Sequence, residues 1–193
     1  MSFYNFAKGV VSIFFHVAFR IEKIGAENIP ADSSAILAVN HRSNWDVVTV
    51  GLTTPRNIRY MAKAEMFKNK FLDKFFRTLG AFPVHRGRGD IGAIKSALNI
   101  LSQNNIMLMF PEGKRVRDGA KGQAKAGVAM IATRAGVPII PVHIVGKYKF
   151  MSKIKIIYGK PIVFDEFFDK KLTMDELQGL SNQVLDTIYN LEA

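Results

Sequence analysis

Two short, wholly apolar runs, Ala35–Val39 and Ile106–Phe110, constrain this chain more than anything else in it. Each has the length of a strand and neither alternates apolar with polar residues, so each must be covered on both faces. Both then break into a polar knot. The first leads to Asn40-His41-Arg42-Ser43-Asn44-Trp45-Asp46, the second to Pro111-Glu112-Gly113-Lys114-Arg115. A third, shorter run, Ala81–Val84, delivers Arg86 into a Gly-flanked loop in the same way. Helix-periodic segments follow at 47–52, at 91–103 with Ile91, Ile94, Leu98 and Leu101 on one side, and at 124–135 closing at Gly136. Apolar strand, polar loop and helix, repeated, predict an α/β fold. The expected form is a single domain with a mixed, mostly parallel sheet flanked by helices, its site at one sheet edge.

The remaining segments fit around that unit. Residues 137–144 carry two prolines, which predicts an edge or irregular strand, and 155–159 reads as a last strand. Thr173 and Glu176 form a capping box ahead of a helix from Met174, with Leu177, Leu180, Val184, Ile188 and Leu191 as its buried side. Residues 63–79 read as a basic amphipathic helix in which Phe67, Phe71, Phe75 and Leu79 recur at fourfold spacing, a stripe expected in the core. Its Lys68, Lys70 and Lys74 would be solvated or face an anionic lipid or carrier. Before all of these, residues 3–19 read as an apolar N-terminal helix broken by Lys8 and His16. A membrane span needs roughly 20 apolar residues, so this segment is expected to lie in a membrane interface. The division is therefore an interfacial segment at 1–25 and the α/β domain at 26–193.

With no Cys, the chain has no disulfide framework, no thiolate zinc site and no cysteine nucleophile. No pair of its 4 His has ligand spacing, so no metal site and no bound cofactor are expected. The net charge of +11 is unevenly spread: residues 56–95 hold ten Lys and Arg against three acids, and 147–160 hold five Lys and no acid. Such a surface suits nucleic acid, acidic lipid, a phosphorylated substrate or an acidic carrier protein.

Chemistry is concentrated at the strand ends. A carboxylate on one imidazole nitrogen fixes the tautomer and frees the other nitrogen to take a proton, so His41 with Asp46 five residues on reads as a general base and its orienter. Ser43 and Asn44 are expected to cap the helix that follows. Arg86 and Arg115, each soon after a strand, are placed to hold an anion through a planar fork of donors, and Lys63 starts its helix within reach of the same edge.

Set side by side, 40–46, 80–87, 110–115 and 137–141 resemble in order and separation the four motifs of the glycerolipid acyltransferases, the 1-acylglycerol-3-phosphate acyltransferase family with its His-x4-Asp motif. The likeness covers about residues 35–145, and Arg117-Asp118-Gly119 and Lys125-Ala126-Gly127 are similar to further family segments. The chain departs from the family pattern at His85, Lys114 and Ala124. The resemblance implies direct transfer of an acyl chain from a thioester of acyl carrier protein or coenzyme A to the 2-hydroxyl of lysophosphatidic acid. His41 and Asp46 would be catalytic, and Arg86, Glu112, Gly113, Arg115 and Lys63 would bind substrate, with backbone N–H groups near these loops meeting the oxyanion. It also implies work at the cytoplasmic face of an anionic cell membrane, with no nucleic acid involved. Alternatives are another lysophospholipid, a lyso-aminolipid or glycerol 3-phosphate as acceptor, and, outside enzymes, a basic membrane- or nucleic-acid-binding module.

Overall fold

The computed structural model describes residues 9, 11–13, 15, 17–84, 91–116, 120–168 and 170–192. Seven strands form one sheet in the order β1-β7-β6-β2-β5-β3-β4: β1 (Arg20–Ile24), β2 (Ala35–Val39), β3 (Ile58–Lys63), β4 (Ala81–Val84), β5 (Ile106–Met109), β6 (Ile139–Gly146) and β7 (Lys153–Tyr158). All pairings are parallel except β6 with β7. A helix α1 covers the described residues of 9–18. The others are α2 (Asp46–Thr53), α3 (Lys70–Thr78), α4 (Ile91–Leu101), α5 (Gly127–Ala135) and α6 (Met174–Tyr189). This is the single α/β domain with a mixed, mostly parallel sheet that the sequence predicts. Its sheet already includes residues 20–24, since β1 runs beside β7.

The unalternating runs are explained by their place. All five residues of β2 are fully buried, Ile36 and Ala38 toward the side covered by α4, α5 and α6, and Ala35, Leu37 and Val39 toward the side holding Val50 of α2. Met107 and Ile106 with Leu108 divide between the two faces of β5 in the same way. At about 25 cal/mol per Å² of apolar surface removed from water, burial of these central strands on both faces stabilises the domain.

Two expectations are corrected. The strand with two prolines is not at an edge: β6 lies between β2 and β7. The carbonyls of Pro138 and Val142 accept from Ile36 and Asn40, so residues of that parity face β2. Pro141, of the opposite parity, turns its missing N–H away from β2, toward the side where β7 has ended at Tyr158, and its carbonyl accepts from Gly159 N at 2.8 Å. The second correction concerns 63–79. Lys63 ends β3, Ala64–Phe67 is a 3-10 turn, and α3 starts only after Asn69, whose side chain caps it by accepting from Phe71 N and Leu72 N. No residue of α3 is buried, so its Phe stripe is not core.

At the other end, Thr173 and Glu176 make the expected reciprocal capping box, and Leu177, Val184 and Ile188 are buried. Among the described residues, no helix is long and apolar enough to cross a membrane.

Candidate active site

The polar knot after β2 starts with a side chain that imitates backbone. Asn40 is fully buried; its Oδ1 accepts from Ile144 N at 2.7 Å and its Nδ2 donates to Ile144 O at 3.1 Å. That pair extends the β2–β6 ladder by one rung after the strand has ended, and it fixes the direction in which the chain leaves toward His41. Asp46, the first residue of α2, is also fully buried. Its Oδ2 accepts from His41 Nδ1 at 2.9 Å and from the backbone N–H groups of Arg42 and Ser43, each at 2.7 Å. A carboxylate is an acceptor, so His41 Nδ1 carries the proton and Nε2 presents its lone pair. The imidazole lies flat on Phe110, ring centroids 3.8 Å apart and 17° between planes, which removes its freedom to tilt.

The helix cap differs from the sequence expectation. Trp45 holds the cap position without a side-chain bond, and the Ser43 hydroxyl instead accepts from Trp45 N at 3.2 Å. The acid that serves the imidazole gathers the N–H groups of Arg42 and Ser43 ahead of the helix, and the helix itself starts without a side-chain cap.

The second polar knot holds the first. Glu112 is 1% exposed, and its Oε2 accepts from His41 N at 2.8 Å while its Oε1 accepts from Gly122 N at 3.1 Å and from the Tyr189 hydroxyl at 2.8 Å. The His41 carbonyl in turn accepts from Val116 N at 2.8 Å. Three distant segments, the β2 loop, the 120s loop and the end of α6, therefore meet on one carboxylate. Gly122 has no alternative there: a Cβ would stand 2.7 Å from Glu112 Oε1 and from Val116 Cγ2. Burial, reinforced by Glu112, holds the Tyr189 phenol above its ordinary range, so it remains a donor.

Gly113 takes a left-handed φ of +64°, and the aliphatic stem of Lys125 lies across it, 2.9 Å from where a Cβ would be. Arg115 and Lys114 are exposed beyond it. Lys63 is exposed at the end of β3. Tyr60 is level with Leu108 and Leu108 with Leu37, so Lys63 stands level with Asn40, two strand spacings away, or about 10 Å. Arg86, like His85 and 117–119, lies outside the described residues.

Sequence reasoning missed Tyr148. It follows β6 at the same sheet edge, and its hydroxyl donates to Asp46 Oδ1 at 3.0 Å and lies 3.1 Å from Thr49 Oγ1. Burial first, then the charge of Asp46, pushes this phenol far above its usual range. Its ring meets Phe19 edge-on, and Phe15 meets both Phe19 and Trp45, so the end of α1 is packed against the His41 loop. The available signal was positional: a polar ring just past a strand end, on the edge that carries His41. Tyr189 was missed for want of any local signal, and Lys125 was noted only within a family-like segment and without a role, since only the tertiary fold brings them to residues 112–113.

The site thus comprises an oriented imidazole with a free nitrogen, a buried carboxylate behind it, and cations around the rim of a parallel sheet's carboxyl edge. The chain belongs to the Acyltransferase family, whose model matches residues 20–145. It is 32% identical over 165 residues to the 1-acyl-sn-glycerol-3-phosphate acyltransferase of Bacillus subtilis, covering 82% of each chain. A protein of the same description from Streptococcus pneumoniae is 29% identical over 199 residues, covering 98% of this chain and 73% of the relative. The crystal structure of the 1-acyl-sn-glycerophosphate (LPA) acyltransferase PlsC from Thermotoga maritima shares the fold, with a TM-score of 0.71 at 24% identity over 96% of this chain and 78% of that one.

Proposed function

We propose that this chain is a 1-acylglycerol-3-phosphate O-acyltransferase, moving a fatty acyl group from a thioester to the 2-hydroxyl of lysophosphatidic acid to form phosphatidic acid. The observation that carries the reading is His41 Nδ1 held 2.9 Å from a buried carboxylate in a chain of this family. An alkanol is barely ionised at neutral pH, so attack on a thioester needs a base within reach of the hydroxyl. His41 Nε2 takes the hydroxyl proton as the oxygen adds to the thioester carbonyl. The tetrahedral intermediate then collapses, the C–S bond breaks, and the thiolate leaves with the proton returned by His41. No acyl-enzyme forms. Asp46 keeps the tautomer and stabilises the imidazolium as it appears.

The acceptor phosphate is held by the cationic rim: Arg115 with Arg86, and Lys63 and Lys125 at its flanks. Gly113 lets the backbone come close to the ligand. Both oxygens of Glu112 are taken by protein donors, so its service to the acceptor is to hold the loops that carry these groups. The donor is an acyl thioester of carrier protein or coenzyme A, and neither metal nor bound cofactor takes part. The enzyme works at the cytoplasmic face of an anionic membrane, as its lipid acceptor and basic surface favour.

Purified protein offered lysophosphatidic acid with each donor in turn should form phosphatidic acid. A panel of glycerol 3-phosphate, other lysophospholipids and lyso-aminolipids with one donor fixed should give lower kcat/KM. Equal or higher turnover on any of these would reassign the acceptor.

A further inference from the structure

We infer that the last turn of α6 works as part of the site: Tyr189 is a positioning residue that, through Glu112, sets where His41 stands. The inference rests on the proposed transfer with His41 as its base. Tyr189 lies beyond the residues 20–145 that the family model matches, so none of the family-like motifs supplies it.

The helix is a stiff arm whose phase is set from the core. Leu177, Val184, Leu185 and Ile188 are buried at helical spacing, the last three in the cluster that also holds Ile36 and Ala38 of β2. Ser181 Oγ accepts from Ala129 N at 3.3 Å and Gln178 Nε2 donates to Ala124 O at 2.8 Å, which stops α6 from turning or sliding against α5 and the residues before it. Tyr189 follows Ile188, about 100° round the helix. That fixed phase carries its hydroxyl to the carboxyl edge of the sheet, where it donates to Glu112 Oε1 at 2.8 Å. The end of the arm is pinned as well. His143 of β6 donates from Nδ1 to Leu191 O at 3.1 Å, and its ring centroid lies 5.5 Å from that of Tyr189. Burial, with Arg42 adding to it against the Leu191 bond, holds His143 below its ordinary range, so at neutral pH the ring is uncharged and its one proton is the one on Nδ1.

Glu112 passes this position on. Its Oε2 accepts from His41 N, and its Oε1 from Gly122 N and the Tyr189 hydroxyl. The loop that carries Gly122 is itself tied to α6, since Lys121 pairs with Asp186 and Ala120 O lies 3.2 Å from the Tyr189 hydroxyl. With donors on both oxygens the plane of the carboxylate is fixed, and so is the backbone of the residue that bears the imidazole. Loss of the hydroxyl leaves Oε1 with Gly122 alone, and the carboxylate can turn. A general base works only within hydrogen-bond reach of its proton, and a misplacement of about 1 Å costs on the order of a hundred-fold, so a partial loosening costs less and falls on kcat. The ring side of His41 is built in the same way, with Tyr148 donating to Asp46 Oδ1 at 3.0 Å. The imidazole and the backbone that carries it are thus each backed by a carboxylate held by a tyrosine.

Three variants of the full chain test this: Tyr189→Phe removes the hydroxyl alone, His143→Leu removes the donor to Leu191, and His143→Asn restores a donor in the place of Nδ1. The first readout is the backbone amide resonance of His41, followed by NMR without substrate. It should move in Tyr189→Phe and in His143→Leu and return toward its wild-type position in His143→Asn. The second is transfer to lysophosphatidic acid, measured well below the unfolding temperature. Here kcat should fall about five-fold in the first two variants with the acceptor KM within about two-fold of wild type, and recover in the third. In a Glu112→Gln background, adding Tyr189→Phe should cost less than about two-fold more, because the route is already cut. An unmoved His41 amide in Tyr189→Phe overturns the inference, as does a kcat indistinguishable from wild type. A loss confined to KM gives Tyr189 to acceptor binding, and an undiminished loss in the Glu112→Gln background sends its effect by another route; either outcome also overturns it. If wild type itself transfers no acyl group to lysophosphatidic acid, the proposed function fails, and the His41 resonance alone still decides the positioning role.

Discussion

The His41 loop and helix α3 are both rich in polar and aromatic residues, and they are solved in opposite ways. Around His41 the buried polar groups find partners inside the protein: both faces of Asn40, both oxygens of Asp46, both oxygens of Glu112, and both backbone groups of His41. In α3 no side chain is buried; it is held by its Asn69 cap, by the exposed Asp73–Arg77 pair at 2.8 Å and by Phe76 and Arg77 packing on Phe67 of the preceding turn. A buried polar group without a partner costs about 1–3 kcal/mol, so the loop must be closed on itself to exist at all. An exposed phenylalanine costs far less. The His41 loop is specified from within, whereas α3 keeps most of its side chains in solvent.

Breaking the loop should therefore hurt most. Asp46→Asn removes the carboxylate charge behind the imidazole and puts an NH2 group in place of one acceptor oxygen, and kcat should drop on the order of a thousand-fold with a clear loss of thermal stability. Glu112→Gln keeps shape but leaves one of the three donors facing an NH2 group; chemical denaturation should read about 2–3 kcal/mol less stability, with kcat/KM reduced as the loops loosen. Tyr148→Phe retains the ring against Phe19 and removes the hydroxyl's bonds to Asp46 and Thr49, so kcat should fall about three- to ten-fold with KM for the acceptor unchanged. At the other extreme, Phe71→Ser in α3 should change unfolding free energy by less than about 0.5 kcal/mol, because nothing inside is lost. A large destabilisation there would mean that α3 is held by the domain after all, and the contrast would fail.

The same contrast explains what could be read in advance. The central strands were legible because full burial leaves a plain mark, an unbroken apolar run such as Ala35–Val39. The contact of His41 with Asp46 was legible because the two residues sit five apart in local sequence. The partners that complete the loop were not, since Tyr148, Gly122 and Tyr189 come from segments far along the chain and carry no mark of the atoms they meet. For α3 the fourfold Phe stripe was read as core because periodicity reports an apolar face and says nothing about what covers it. Pro141 misled in a related way: proline marks a missing donor, and only the register reveals that β7 has ended where that donor would point.

The central claim is that His41 is the base, poised by the fold before substrate arrives. The direct measurement is kcat for acyl transfer to lysophosphatidic acid by purified His41→Ala, with circular dichroism and thermal unfolding run beside it. A loss of about a hundred- to ten-thousand-fold in a protein that still folds is the result expected of a missing general base. Transfer within two-fold of wild type, by a variant equally well folded, would contradict the account.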